Sequence, residues 1–285
     1  MRKIKTSEIT DIVSKLCIEA SCNLNKDVED AFHRALAAEE SPVGKNVIET
    51  LLENARIARE EQAPMCQDNG MAVVFIEAGM DVHIYGGDLE EAVNEGVRQG
   101  YEKGYLRKSV VRDPYDRINT WDNTPAIVHY SIVQGDKLKI TVLPKGFGGE
   151  NWSAVKVFTP AAGIESVKKF IVDTVSAAGS SPCPPMVIGV GIGGTMEKCA
   201  YLSKKALIRP LGSSNPDKYW SGLEKELLEK INSLGIGPAG LGGRTTALGV
   251  NIETFATHIA SLPAAVNIGC HANRHASAIL SGEVS

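Results

Sequence analysis

The chain has 285 residues, of which 43% are hydrophobic and 22% are charged, and this balance is typical of a folded protein with a packed core. Thirty lysines and arginines against 34 aspartates and glutamates give a net charge of −4, which argues against a nucleic-acid-binding protein. No apolar run approaches the roughly 20 residues of a membrane span. The basic start has no apolar stretch behind it that would indicate a secretory signal. We therefore expect a cytoplasmic protein that binds neither nucleic acid nor a membrane.

The first 62 residues are expected to be helical. Apolar residues recur at helical spacing in three segments, 9–20, 28–36 and 47–58. From Pro64 the pattern changes to that of a mixed α/β core with long glycine-rich loops. We expect an α/β fold in one domain spanning residues 1–285, with 1–62 as a helical N-terminal subregion.

Strands and helices alternate in the remainder of the chain. Strands are predicted at 71–78, 126–133, 137–143, 186–190, 247–252 and 264–268. Helices are predicted at 89–101, with Asp88 as its cap, and at 164–178, 196–207 and 218–234. The turn residues 134–136 predict that the strands on either side form a hairpin. PKGFGGEN at 144–151 and GIGPAGLGG at 235–243 are predicted to be loops, which often carry function.

Residues 189–194 match the pattern G-x-G-x-x-G between a predicted strand and a predicted helix. A nicotinamide-dependent oxidoreductase is therefore one alternative. However, the segment 209–217 is rich in turn residues and offers no strand that ends in an acidic residue, as a dinucleotide site requires. Two other interpretations stay open: an anion site on backbone N–H groups at the start of the helix, and glycines that let the strand and helix pack closely.

Three of the six cysteines lie beside proline or glycine at the ends of predicted elements: Cys66, Cys183 and Cys270. Three thiolates with one open position would suit a [4Fe–4S] cluster that leaves one iron accessible to substrate. Spacing alone leaves ordinary thiols as the commoner interpretation of such a trio. The other three lie in or beside predicted helices and are expected to be packed or surface thiols: Cys17, Cys22 and Cys199.

Five motifs occur together and in order: CQDNG at 66–70, PKGFGGEN at 144–151, CPPMVIGVGIGGTMEKCAYLSKKAL at 183–207, GIGPAGLGGRTT at 235–246 and HIASLPAAVNIGCHANR at 258–274. They resemble the α subunit, equivalent to the N-terminal domain, of the iron–sulfur-dependent class I fumarases and L(+)-tartrate dehydratases. The resemblance extends from about residue 5 to the C terminus. The departures from the family pattern, at residues 69, 181–182 and 271, remove no expected ligand.

The resemblance implies a hydro-lyase whose [4Fe–4S] cluster is held by Cys66, Cys183 and Cys270. It implies that the dicarboxylate substrate is bound by Gln67, Arg107 and Gly149. It further implies two candidate catalytic residues, Asp68 and His258. A cap on the turn at Cys66 is the alternative role for Asp68, and a structural role is the alternative for His258. Arg112 is a further possible carboxylate contact, with a solvated surface arginine as the commoner interpretation.

The resemblance also implies a partner. The family's catalytic base belongs to a second domain, so we expect a separate β subunit and an oligomer of αβ units. The expected reaction is the reversible hydration of fumarate to (S)-malate, a step of the tricarboxylic acid cycle, in which the open iron acts as a Lewis acid. Segments 119–126 and 193–195 look more like fumarases. Dehydration of L(+)-tartrate to oxaloacetate is the alternative reaction, and a non-catalytic scaffold subunit without a cluster is another alternative.

Overall fold

The computed structural model describes residues 2–284, so both ends of the expected 1–285 domain lie outside the described residues. The chain forms two compact units. The first consists of the residues up to Leu24, residues 55–146 and the residues from Arg274 onward. The second consists of Asn25–Asn54 and Phe147–Asn273. The mixed α and β architecture expected from the sequence is confirmed.

The helices are α1 (Thr6–Cys22), α2 (Lys26–Ala38), α3 (Pro42–Glu61), α4 (Leu89–Lys103), α5 (Phe147–Glu150), α6 (Gly163–Ala178), α7 (Met196–Ala206) and α8 (Lys218–Asn232). The strands are β1 (Arg2–Lys5), β2 (Met71–Gly79), β3 (Val82–Tyr85), β4 (Ile127–Val133), β5 (Leu138–Lys145), β6 (Ala154–Phe158), β7 (Met186–Gly193), β8 (Ala247–Phe255), β9 (Leu262–Gly269), β10 (Ala276–Leu280) and β11 (Glu283–Val284). The three helices predicted in the first 62 residues are confirmed as α1 to α3. None of the helices within residues 2–284 combines the length and the apolar character that crossing a membrane requires.

The first unit is built on a four-stranded sheet with the order β10-β5-β2-β4. Helices α1 and α4 pack against each other, and their apolar faces share one core with the sheet. Val13 of α1, Val97 of α4 and Val74 of β2 are among its fully buried side chains. Burial of each such side chain contributes about 1.5–3 kcal/mol to folding. A second sheet, with the order β11-β1-β3, lies in the same unit. As predicted, Asp88 caps α4, because its carboxylate accepts a hydrogen bond of 2.8 Å from the backbone N–H of Glu91.

The hairpin predicted around residues 134–136 is wrong, although both of its strands form. Strand β2 lies between β4 and β5 and pairs in parallel with β4 and antiparallel with β5. The link from β4 to β5 therefore passes over the end of β2. There Gly79 donates its N–H to the Lys137 carbonyl and Met80 donates to the Val133 carbonyl, each at 2.9 Å. These backbone bonds fix the link to β2.

The second unit is built on a sheet with the order β6-β9-β7-β8. All eight residues of β7 are buried. Apolar side chains that alternate along β7, such as Ile188 and Val190, share a core with residues of α6 and α8, whereas α7 packs against the strand from the glycine side. A strand covered on both faces needs a nearly continuous apolar or small-residue sequence. MVIGVGIG meets this requirement.

The glycines of the motif at 189–194 serve close packing. Gly189 and Gly191 lie inside β7 rather than in a loop, so the prediction that β7 ends at Val190 is wrong. A Cβ on Gly191 would overlap the Cys199 carbonyl oxygen, and one on Gly189 would overlap the Ser203 carbonyl oxygen, both in α7. The phosphate-binding turn of a dinucleotide site would need these glycines beyond the strand. The packing interpretation of the motif is the one that the structure supports.

Candidate functional site

The three cysteines expected to bind metal all lie outside the regular elements, and two of them, Cys183 and Cys270, lie at the ends of strands as predicted. Cys66 lies in the bend between α3 and β2, Cys183 comes three residues before β7, and Cys270 directly follows β9. Cys183 is exposed, and the other two are partly exposed. Their thiols are therefore accessible to a ligand.

The other cysteines differ from these three in their surroundings. Cys17, Cys22 and Cys199 are completely buried. Burial raises the pKa of all three thiols, that of Cys17 to about 12, so they stay protonated at neutral pH. Because metals bind the thiolate, these cysteines are poor ligands. They were expected to be packed or surface thiols, and the structure shows that all three are packed. The accessible trio retains the donor chemistry that an iron–sulfur cluster requires.

Residues 66–70, here called the Cys66 loop, carry three of the candidate site residues. The Cys66 sulfur lies 3.6 Å from the amide oxygen of Gln67, whose side chain is exposed. Asp68 accepts a hydrogen bond of 2.9 Å from the Gly70 N–H through its carboxylate, so it caps the turn. The Asp68 carbonyl accepts a hydrogen bond of 2.5 Å from the Arg274 guanidinium.

Asn69 joins the Cys66 loop to the segment that carries Arg107. Its side chain is only 2% exposed. The amide nitrogen donates to the Cys66 carbonyl at 3.2 Å, and the amide oxygen accepts from the Arg107 backbone N–H at 2.6 Å. The Tyr101 hydroxyl donates to the Asn69 carbonyl at 2.6 Å. Asn69 thus fixes the backbone of Arg107 beside the loop, while the Arg107 side chain remains exposed.

A second buried amide, Asn123, strengthens this connection. It donates to the Gly70 carbonyl at 3.1 Å and accepts from the backbone N–H groups of Ser109 and Val110 at 2.7 and 3.3 Å. Sequence analysis missed both asparagines as site residues. The one signal was that position 69 departs from the family pattern. Arg112, weighed as a carboxylate contact, is exposed and pairs with Asp116, as a surface arginine does.

In the second unit, Cys183 lies next to the residue that follows Cys270. The Cys183 carbonyl accepts the backbone N–H of His271 at 3.2 Å and lies 3.2 Å from Nδ1 of the same histidine. Cys183 has a φ of +56°, which is uncommon for a residue with a side chain. The backbone at Cys183 and at Cys270 is therefore held together.

Residues 235–246, here called the glycine loop, also contact this region. The Ala239 N–H donates to the Pro184 carbonyl at 2.8 Å. Apart from a short 3-10 turn at Pro238–Gly240, residues 235–243 form no regular element, as predicted. The glycine loop is held in turn by Glu39, whose carboxylate accepts hydrogen bonds from the backbone N–H groups of Arg244 and Thr245 at 3.0 and 3.2 Å.

Gly149 lies in α5, a one-turn helix within a segment that was predicted to be a loop. Its carbonyl accepts from the Ser153 hydroxyl at 3.1 Å, and the Ser153 oxygen accepts from the Ile268 N–H at 3.1 Å. Glu150 pairs with Lys204 and accepts from the Asn267 side chain at 3.1 Å. These bonds join α5 to β9, the strand that ends at Cys270.

His258 is exposed and lies in the turn after β8. Its Nδ1 accepts the Ala260 N–H at 3.2 Å, and its carbonyl accepts the Ser261 N–H at 2.9 Å. A neutral imidazole whose Nδ1 accepts carries its proton on Nε2. The turn therefore presents Nε2 as a hydrogen-bond donor.

The structure thus groups the candidates by unit. Cys66, Gln67, Asp68 and the Arg107 backbone lie together in the first, and the backbones at Cys183 and Cys270 in the second. Within residues 2–284, no group of three or more His, Cys, Asp or Glu side chains is placed to hold a metal ion. The roles of the site residues and the metal ligands therefore remain predictions.

Comparison with known proteins identifies the family. Residues 10–279 match the family model described as fumarate hydratase (Fumerase). The chain is 43% identical over 275 residues to a Methanocaldococcus jannaschii protein provisionally named L(+)-tartrate dehydratase subunit alpha, covering 94% of this chain and 96% of that protein. It is 33% identical to the L(+)-tartrate dehydratase subunit alpha of Escherichia coli strain K12, covering 98% of this chain and 93% of the relative. The chain therefore belongs to the fumarate hydratase family of hydro-lyases.

Proposed function

We propose that this chain is the α subunit of an iron–sulfur hydro-lyase that interconverts fumarate and (S)-malate. The observation that carries the proposal is the family match across residues 10–279. Relatives named as alpha subunits support a separate β subunit that completes the enzyme. We place the enzyme in the cytoplasm and the tricarboxylic acid cycle, as an oligomer of αβ units.

We assign Cys66, Cys183 and Cys270 as the thiolates that hold a [4Fe–4S] cluster. The accessibility of these three thiols, against the burial of the other three, supports the assignment. When bound, the cluster supplies an iron with an open position that acts as a Lewis acid on the substrate's hydroxyl and carboxylate.

Arg107 and Gln67 are assigned to substrate binding. A guanidinium offers a planar pair of donors that matches a carboxylate, which a lysine ammonium does not. The hydrogen bonds of Asn69 support this role, because a fixed backbone reduces the conformational freedom that an exposed arginine loses on binding. Gly149, buried in α5, is assigned a backbone contact to substrate.

His258 is assigned to donate a hydrogen bond to the leaving hydroxyl or to a substrate carboxylate. The hydrogen bond from Ala260 supports this role, since it orients Nε2–H as a donor. Asp68 holds the turn that presents Gln67, and we keep it as the second candidate catalytic residue. Removal of the proton from the substrate carbon is assigned to a base of the β subunit.

A second candidate reaction is the dehydration of L(+)-tartrate to oxaloacetate. It is favoured by the relatives that carry the name of that enzyme. Fumarate remains the first candidate, because the family model carries the name fumarate hydratase.

The test is anaerobic reconstitution of the chain with its β subunit, followed by assays with fumarate and with L(+)-tartrate. We expect a larger kcat/KM for fumarate, and a larger value for tartrate would favour the second candidate. Arg107→Lys should raise KM by about 10–100-fold, the range for loss of a hydrogen bond to a charged group, with iron content unchanged. Arg112→Lys is the matched control, because Arg112 pairs with Asp116 at the surface. Turnover of neither substrate would contradict the proposal.

A further inference from the structure

Arg274 is a buried cation in contact with the Cys66 loop. It lies two residues before β10 in the first unit and is 2% exposed. Its Nη2 donates to the Asp68 carbonyl at 2.5 Å. Its Nε and Nη1 atoms are also buried, and neither has a hydrogen-bond partner among the described residues.

The charge of Arg274 has no directly paired counterion within the described residues. Burying a guanidinium without a compensating partner is unfavourable. Burial raises the pKa of Cys22 and Tyr101, and the nearby charge of Arg274 only partly opposes this, so both groups are neutral at pH 7. Asp68 contributes the dipole of its carbonyl, and its carboxylate is also close enough to act on Tyr101, but that carboxylate accepts the Gly70 N–H and forms no ion pair with Arg274. No carboxylate within the described residues forms an ion pair with Arg274.

Holding the loop does not account for this arrangement. One hydrogen bond to a carbonyl could be donated by a neutral glutamine, without the cost of a buried charge. Two remaining donors on a planar cation match an acceptor of negative charge, which would neutralise the guanidinium and satisfy both atoms.

We infer that Arg274 binds an anion at the Cys66 loop through Nε and Nη1, in addition to holding the Asp68 carbonyl. The inference rests on the proposed function, which supplies two anions of the required chemistry. One is a sulfide or thiolate of the cluster, and the other is a carboxylate of the substrate. Both accept N–H hydrogen bonds, and they are distinguished by what changes when Arg274 is replaced.

The experiment compares the wild-type enzyme, reconstituted with its β subunit, with Arg274→Lys and Arg274→Met. Lysine keeps the charge without the fork, and methionine keeps the aliphatic part of the side chain without the charge. Arg117→Met, at an exposed arginine, is the matched control. The measurements are iron per chain, the visible spectrum, the cluster reduction potential and KM for fumarate. Circular dichroism establishes that each variant is folded.

If the anion belongs to the cluster, Arg274→Met should lose iron or lower the reduction potential, because a nearby positive charge and hydrogen bonds to sulfur favour the reduced cluster. If it is the substrate's carboxylate, iron and potential should remain and KM should rise by about tenfold or more. Arg274→Lys should show the same change at smaller size. Unchanged iron, potential and KM in folded Arg274→Lys and Arg274→Met would overturn the inference.

A separate measurement keeps the inference testable if the proposed function fails. Should the wild-type protein neither assemble a cluster nor turn over a dicarboxylate, malonate and inorganic sulfide are titrated against the chain in a thermal-shift assay. Stabilisation of the wild type that Arg274→Lys lacks would support an anion site. Equal responses of the two proteins, including no response in either, would overturn it.

Discussion

Replacing Glu39 with alanine should destabilise the second unit, because its buried carboxylate holds the glycine loop to the turn between α2 and α3. Glu39 is 2% exposed. Its carboxylate accepts from the backbone N–H groups of Glu40 and Ser41 at 3.0 and 3.1 Å, as well as from those of Arg244 and Thr245. The change would leave four N–H groups without their acceptor.

The expected loss is about 3.5–4.5 kcal/mol. The bond from Thr245 is buried, and a buried donor left without its charged acceptor costs about 2–3 kcal/mol. The other three bonds are partly buried, so water can replace Glu39, and about 0.5 kcal/mol each is expected. Glu39→Gln should cost about 2–3 kcal/mol, because the amide keeps one acceptor oxygen. Glu40→Gln is the matched control and should cost less than about 1 kcal/mol, since its pair with Arg244 is exposed.

The loss of stability caused by Glu39→Gln should depend on pH. Burial alone would raise the pKa of Glu39, but the backbone hydrogen bonds outweigh it and hold the pKa below its ordinary 4.5. A carboxyl group with a lowered pKa stabilises the fold above its unfolded-state pKa, and this contribution is lost as the pH falls through the folded-state pKa. The difference between wild type and Glu39→Gln should therefore be constant above pH 4.5 and shrink below it.

Urea denaturation at several pH values measures these differences. Tryptophan fluorescence is a suitable signal, since two of the three tryptophans, Trp152 and Trp220, lie in the second unit. A loss of stability below about 1 kcal/mol for Glu39→Ala would refute the role of this carboxylate. So would a stability difference between wild type and Glu39→Gln that does not change below pH 4.5.

Further predictions concern packing, positioning and reactivity. Gly191→Ala should cost more than about 3 kcal/mol because its Cβ would overlap α7, whereas Gly222→Ala, with open space around its Cβ in α8, should stabilise by up to about 1 kcal/mol; thermal denaturation compares them. Asn69→Ala should raise KM for the dicarboxylate about tenfold by releasing the Arg107 backbone, and steady-state kinetics that match the wild type would contradict this. Iodoacetamide should modify Cys66 but not Cys17 in the folded chain, because Cys17 is buried with a pKa of about 12; mass spectrometry after digestion reads out both, and equal labelling would count against the assignment.

The helices and most strands could be predicted because their signals are local. In α4, for example, apolar spacing and the cap residue Asp88 lie within one short segment. The hairpin prediction failed for the opposite reason. Strands β4 and β5 are adjacent in sequence, but the position between them is taken by β2, which begins 56 residues before β4. Pattern reasoning finds strands but does not determine which strand pairs with which.

In the candidate site, too, the features with local sequence signals could be predicted and those that depend on distant partners could not. The positions of Cys66, Cys183 and Cys270 outside the helices and strands follow from neighbouring prolines and glycines. The roles of Asn69 and Glu39 do not, because their partners lie 38 and 205 residues away. A buried amide or carboxylate acquires its role only when the fold brings distant backbone donors to it.

The central claim is that Cys66, Cys183 and Cys270 hold an iron–sulfur cluster. The most direct measurement is iron and sulfide content with the visible spectrum after anaerobic reconstitution, for the wild type and the three single Cys→Ser variants. Cys199→Ser is the matched control, because this cysteine is buried and a serine can replace its hydrogen bond to the Met196 carbonyl. We predict about four irons per chain in the wild type and the control, and a marked loss in each of the three variants. No cluster in the wild type with its β subunit, or full iron content in the three variants, would contradict the account.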